Sequence, residues 1–138
     1  MVRGIVNDSA FLSQKSKPFL WGLDNHIIQN LLDTAEAHKE RCAGLAAPQI
    51  GKLKRAIVVR MGNEFVPFIN PVIIKHSPGW YYTEEGCLSL EGKRSVKRYH
   101  TIMVSYTDAK GNRRTRQFSG PIAQILQHEI DHLNGVLI

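Results

Sequence analysis

The segment SGPIAQILQHEIDHLNG, residues 119–135, carries Ile122, Ile125, Leu126, Ile130 and Leu133 at the spacing of one helix face. Pro121 just inside the start and Asn134-Gly135 just past the end are the residue types expected at the two ends of a helix. Within it stands His128-Glu129-Ile130-Asp131-His132. Residues four apart lie nearly one turn apart, so both imidazoles project from one face and can meet a single divalent ion, with Glu129 beside them as a base. The pattern has two free positions and also arises by chance, in which case both histidines are ordinary helix residues. Catalytic divalent sites usually take three protein ligands and keep a position for water. Leu133 to Ile138 offers no ligand, so the third is expected upstream, among Cys87, His26, His38, His76, His100 and the carboxylates. Cys87 stands in Glu84-Glu85-Gly86-Cys87-Leu88-Ser89, where Gly86 permits close backbone approach and a thiolate is a strong ligand. Its alternative is the small buried hydrophobe that most free cysteines become.

Working back from this helix, Thr101–Thr107 alternates Ile102, Val104 and Tyr106 with polar neighbours, and Asp108 to Asn112 supplies a turn before Arg113–Phe118. That predicts a hairpin. Ala56–Val59, Phe65–Ile74 with Pro67 and Pro71 inside it, and Trp80–Thr83 predict further strands, several of them edge or bent. Asp24–Arg41 places Ile27, Ile28, Leu31, Leu32 and Ala35 on one helix face. Helix, strands, helix is the order of an α+β fold: short antiparallel or mixed strands around the C-terminal helix, with an N-terminal amphipathic helix. Residues 1–138 are expected to form one domain.

With 43% apolar and 22% charged residues, the 138-residue chain has the composition of a globular protein. No apolar run approaches a membrane span, and two cysteines, Cys42 and Cys87, are too few for a disulfide framework. Met1–Leu20 lacks the apolar segment of a signal peptide, so a reducing, cytoplasmic location is expected. The net charge of +6 suits polyanions, but the basic clusters at 93–98 and 113–116 carry no interleaved aromatic stacking motif. A solvated basic face is the expectation, with weak electrostatic approach to RNA and no DNA or membrane partner.

Three segments occur together: Gly44-Leu45-Ala46-Ala47-Pro48-Gln49, Glu85-Gly86-Cys87-Leu88-Ser89, and Gln127-His128-Glu129-Ile130-Asp131-His132. In this order and approximate separation they resemble the motifs of the peptide deformylases, bacterial-type, and the likeness extends through Ile69-Asn70-Pro71 and the hairpin, from about Asp24 onward. The resemblance implies a hydrolase that removes the N-formyl group from formylmethionyl nascent chains and releases formate. It implies an ion held by Cys87, His128 and His132, typically Fe2+, with Zn2+ or Ni2+ replacing it in preparations. Glu129 would move the proton, and the Gln49 amide and Leu88 N–H would face the oxyanion. Gly44 and Leu45 would take the substrate as an extended strand. Leu88, Ile125 and the stem of Arg94 are candidates for the methionine pocket, with Gln124 as a polar intrusion; a core role is the alternative for Ile125.

Cys42 departs from the glycine usual two positions before Gly44, where a positive φ would strain it, and its thiol is expected to be inert. A C-terminal helix found in many members is expected to be missing, so any ribosome contact would rest on the basic surface. Two rivals remain at this point: a zincin-like protease, supported by the helix motif alone, and a basic RNA-binding or ribosome-binding domain with a structural metal.

Overall fold

In the computed structural model, which describes residues Met1–Ile138, the elements run α1 (Ser9–Leu12), α2 (Asn25–Ala37), β1 (Gly44–Ala46), a 3-10 helix (Ala47–Ile50), β2 (Ala56–Met61), β3 (Glu64–His76), β4 (Trp80–Glu85), β5 (Arg94–Tyr99), β6 (Thr101–Thr107), β7 (Arg113–Ser119) and α3 (Gly120–Leu133). Five strands form one sheet in the order β1-β2-β3-β6-β7, and β4 and β5 form a separate two-stranded sheet. Every pair is antiparallel. The α+β expectation holds, and no helix is long and apolar enough to cross a membrane.

The five-stranded sheet is covered on both faces. On one side Ala46, Ile57, Val59, Phe68 and Val104 pack with Leu126, Ile130 and Leu133 of α3. On the other, Leu45, Ala56, Val58 and Ile69 pack with Ile27, Leu31 and Ala35 of α2. Side chains alternate along a strand, so a strand buried on both faces reads as continuously apolar, as Ala56–Val59 does. Truncating Leu126, fully buried between sheet and helix, would cost about 2–5 kcal/mol.

Helix α3 ends in a Schellman motif: Gly135 at φ +76° lets its N–H reach the His132 carbonyl at 3.1 Å while Val136 N–H reaches Asp131 at 3.0 Å. Arg55 caps the same end through the Leu133 carbonyl at 3.0 Å and Asn134 Oδ1 at 2.8 Å. The middle of the helix docks onto β5, where the Gln127 carboxamide accepts from Tyr99 N–H at 2.8 Å and donates to its carbonyl at 2.9 Å. In β3, Asn70 adopts φ 49° between the paired residues Ile69 and Val72, and its side chain clamps the main chain of Phe19. This break lets the strand carry Pro71.

Strands β2, β3 and β4 run one or two residues past the expected bounds, and two further expectations are corrected. Helix α2 stops at Ala37, four residues early, because the chain turns through 38–41 toward β1. The basic cluster at 93–98 runs into strand β5, where Lys93 and Lys97 are exposed as expected of a solvated face but Arg98 is only 4% exposed.

Candidate active site

Three donor atoms, one each from Cys87, His128 and His132, lie within 4.8 Å of one another. Helix α3 supplies both imidazoles from its buried side, one turn apart, with their Nε2 atoms separated by 3.2 Å. Cys87 follows directly on β4. What joins the two parts is Arg98: it donates to both oxygens of Glu85 at the end of β4, at 2.7 and 3.0 Å, and to Asp131 of α3 at 2.8 Å. In the β4-β5 pairing, Tyr81, Thr83 and Glu85 share a face with Arg94, Val96 and Arg98, and that face holds the hairpin against α3.

The electrostatics follow from this packing. Burial opposes a charged Glu85, yet the bonds from His128 and Arg98 outweigh it and bring the carboxyl down to about 2. As a carboxylate it can only accept, so Nδ1 of His128 carries the proton in their 2.8 Å bond and Nε2 is turned toward Cys87 and His132. Burial likewise opposes charge on His128, but its bonds to Cys87 and Glu85 push it up to about 10. Burial, then the neighbouring His128 charge, takes His132 down to about 3. For Cys87 burial disfavours the thiolate, while bonds from His128 and the main-chain N–H groups of Leu90 and Ser89 outweigh it and hold the thiol below its ordinary range. Glu129 is 4% exposed, burial raises it to about 7, and its Oε1 has no hydrogen-bond partner.

These residues fit a divalent ion. With ligand arms of about 2.0–2.1 Å at tetrahedral angles, two nitrogens stand about 3.3 Å apart, close to the His128–His132 spacing of 3.2 Å. One thiolate and two imidazoles form a donor set suited to zinc or ferrous iron. The set opens onto a cavity of about 220 Å³ whose lining includes Gly44, Glu85, Cys87, Leu88, Ile125 and Glu129.

The family model of the polypeptide deformylases matches residues 3–138. The chain belongs to the peptide deformylase family. A peptide deformylase of Clostridium beijerinckii is 49% identical over 138 residues, covering 100% of both chains. The crystal structure of the enzyme from Thermotoga maritima matches with a TM-score of 0.88 at 36% identity, covering 99% of this chain and 94% of that one. A peptide deformylase from Acinetobacter baumannii, with Met-Ala-Ser bound, matches with a TM-score of 0.87 at 28% identity, covering 99% and 96%. Deformylases of this family are metal-dependent hydrolases that remove the N-formyl group from nascent polypeptides.

Against the deformylase motifs, the remaining candidates fall into two groups. Leu88, Gly44 and Ile125 line the cavity. Leu88 N–H donates to no group of the chain. Gly44 lies so near α3 that a Cβ there would be 2.9 Å from Glu129 Oε2, which is why this deformylase position takes glycine. Gln49 is buried, its Oε1 accepting from Ala46 N–H at 2.9 Å and its Nε2 donating to Ser89 Oγ at 3.2 Å. Leu45 points to the α2 face of the sheet and has no exposed surface, leaving only its backbone for a substrate. Arg94 does not line the cavity; its Nη2 donates to the Glu91 carbonyl at 3.1 Å. Of the other histidines, His76 stacks on Tyr99 and His100 lies against Tyr81, away from the donor set.

Cys42 has no positive φ, so the departure from glycine costs no backbone strain. Its buried thiol donates to the Gly44 carbonyl at 3.1 Å, and burial together with the Glu129 charge pushes it up to about 12. Gln124 does intrude on the cavity, but its amide is spent, accepting from Tyr81 Oη at 3.0 Å and donating to Glu85 at 2.9 Å. Sequence reasoning missed Glu85 and Arg98. The signals were an acid two residues before Cys87 and an aspartate in a free position of the helix motif.

Proposed function

We propose that this chain hydrolyses formylmethionyl peptides in the cytoplasm, as a single domain over residues 1–138, with ferrous iron held by Cys87, His128 and His132. Zinc and nickel suit the same donors. The observation that carries this reading is the convergence of one sulfur and two imidazole nitrogens beside a buried carboxyl with an unpaired oxygen. When bound, a divalent ion there supplies Lewis-acid polarisation of the formyl carbonyl and acidifies water.

The chain's own residues do the rest. Glu129, at about 7, takes a proton from the attacking water and returns it to the departing amine, so that formate and a free amino terminus leave. Leu88 N–H and the Nε2 hydrogen of Gln49 not given to Ser89 donate to the developing oxyanion; losing one such donor typically costs about 2.7–4 kcal/mol in the barrier. The backbone of Gly44 and Leu45 pairs with the extended substrate, and Leu88 and Ile125, which line the cavity, flank the methionine side chain, whereas Arg94 stands outside it. The basic surface, at net charge +6, supports weak ribosome contact.

The test is formate release by anaerobically prepared, iron-loaded protein. Formyl-Met-Ala-Ser is expected to yield formate and acetyl-Met-Ala-Ser to remain intact. Cleavage of an internal peptide bond in the acetylated substrate would favour a protease instead.

A further inference from the structure

We propose that Arg41 and Lys93 form a cationic rim that selects formylated peptides carrying an acidic side chain two or three residues after the methionine. The inference rests on the reading above that the cavity takes an extended formyl-peptide. The cavity wall runs from Gly44, against Glu129, back through Ala43 and Cys42 to Arg41. A peptide lying along this wall advances about 3.3 Å per residue. With its formyl end at Cys87, His128 and His132, its second or third residue therefore arrives beside Arg41.

Lys93 does not itself line the cavity but stands next to its facing wall at Gly86. Gly86 lines the same cavity, and a Cβ on Gly86 would lie 3.8 Å from Cγ of Lys93. Both cations are exposed, and neither takes part in an ion pair or a side-chain hydrogen bond. By contrast Arg98 is engaged by Glu85 and Asp131, and Arg114 by Asp108. The carboxylates of the cavity do not answer the rim, because Glu85 is paired with Arg98 and His128 and Glu129 is buried at the far end. Glu40 and Glu91, the nearest acids in sequence, form no ion pair with Arg41 or Lys93. The mouth thus carries positive charge that a substrate carboxylate can meet, and a substrate ammonium must oppose.

The experiment compares kcat/KM for formyl-Met tripeptides with Asp, Ala or Lys at the second or third position. The aspartyl peptide is expected to exceed the alanyl one by roughly two- to fivefold at low salt, with the lysyl peptide below both. High salt should flatten the series, and Arg41→Glu should reverse it. Each ratio is read within one preparation, so a partly unfolded variant does not disturb it. Equal values for the three peptides in the wild type, or an order untouched by Arg41→Glu, overturns the rim. Formate from none of them overturns the rim and the deformylase reading of the cavity together.

Discussion

A methyl group on the α-carbon of Gly44 would lie 2.9 Å from Oε2 of Glu129, so the strand that borders the cavity and the acid at its end are in direct contact. The same methyl would lie 2.9 Å from Cγ2 of Ile125. Both neighbours sit on a packed helix, so Glu129 must shift to accommodate it. Gly44→Ala is expected to lower kcat/KM for formate release by about a hundredfold, because a displacement near 1 Å at a reacting group costs that much. Activity within a few fold of wild type would mean that Glu129 needs no such placement.

Glu129→Gln removes the base and keeps the shape. The variant is expected to bind its ion with unchanged stoichiometry and to lose roughly 10²–10⁴ in kcat. Metal analysis and the formate assay on one preparation separate the two quantities, and wild-type turnover would take the proton-moving role away from Glu129.

Arg98 binds the β4-β5 hairpin to α3 through Glu85 and Asp131. Its side chain is 5% exposed and that of Glu85 7%, so Arg98→Met leaves the buried Glu85 carboxylate without its cationic partner, at a cost of about 3–5 kcal/mol in stability. Arg116→Met, at an exposed position, serves as the reference and should change stability by about 0.5 kcal/mol or less. Equal denaturant midpoints for the two variants would contradict a bridging role for Arg98.

Asp24 offers a pH test remote from the cavity. Its carboxylate accepts from Leu20 N–H at 2.7 Å and lies 3.2 Å from Lys54 Nζ. The Leu20 bond is the chief cause that holds it below its ordinary value of 3.8, against the opposing effect of burial. A folded value below the unfolded one means that the stabilisation is complete above the ordinary value and is lost as pH falls through the folded one. Asp24→Asn should therefore be less stable than wild type at neutral pH, by about 1 kcal/mol. The gap should close in strong acid. A gap independent of pH in denaturant titrations would show that the charge contributes nothing.

Legibility in the sequence followed the local physics. Thr101–Thr107 shows clean alternation and matches its strand at both ends, because only the even-numbered side of β6 is fully buried. Helix α3 is marked by its periodicity and by Pro121 and Gly135. Strand β5 is hidden because Arg94-Ser95-Val96-Lys97-Arg98-Tyr99 puts charge on both faces, and the buried charge of Arg98 is tolerable only through carboxylates 13 and 33 residues away. Strand β1 is three residues long and reads as a Gly- and Ala-rich loop. At the site, the ligands and Glu129 were visible as motif residues, whereas the side-chain directions of Leu45 and Arg94 depend on strand faces that no motif states. Leu45 turns inward because Gly44 and Ala46, its neighbours in β1, occupy the α3 side.

The central claim is that a mid-chain sulfur and two helix imidazoles hold one ion. X-ray absorption on the zinc-loaded protein tests it most directly. The expected spectrum has one sulfur at about 2.3 Å and two imidazole nitrogens at about 2.0–2.1 Å, with the sulfur contribution lost in Cys87→Ser. A wild-type spectrum with no sulfur in the coordination shell would contradict it.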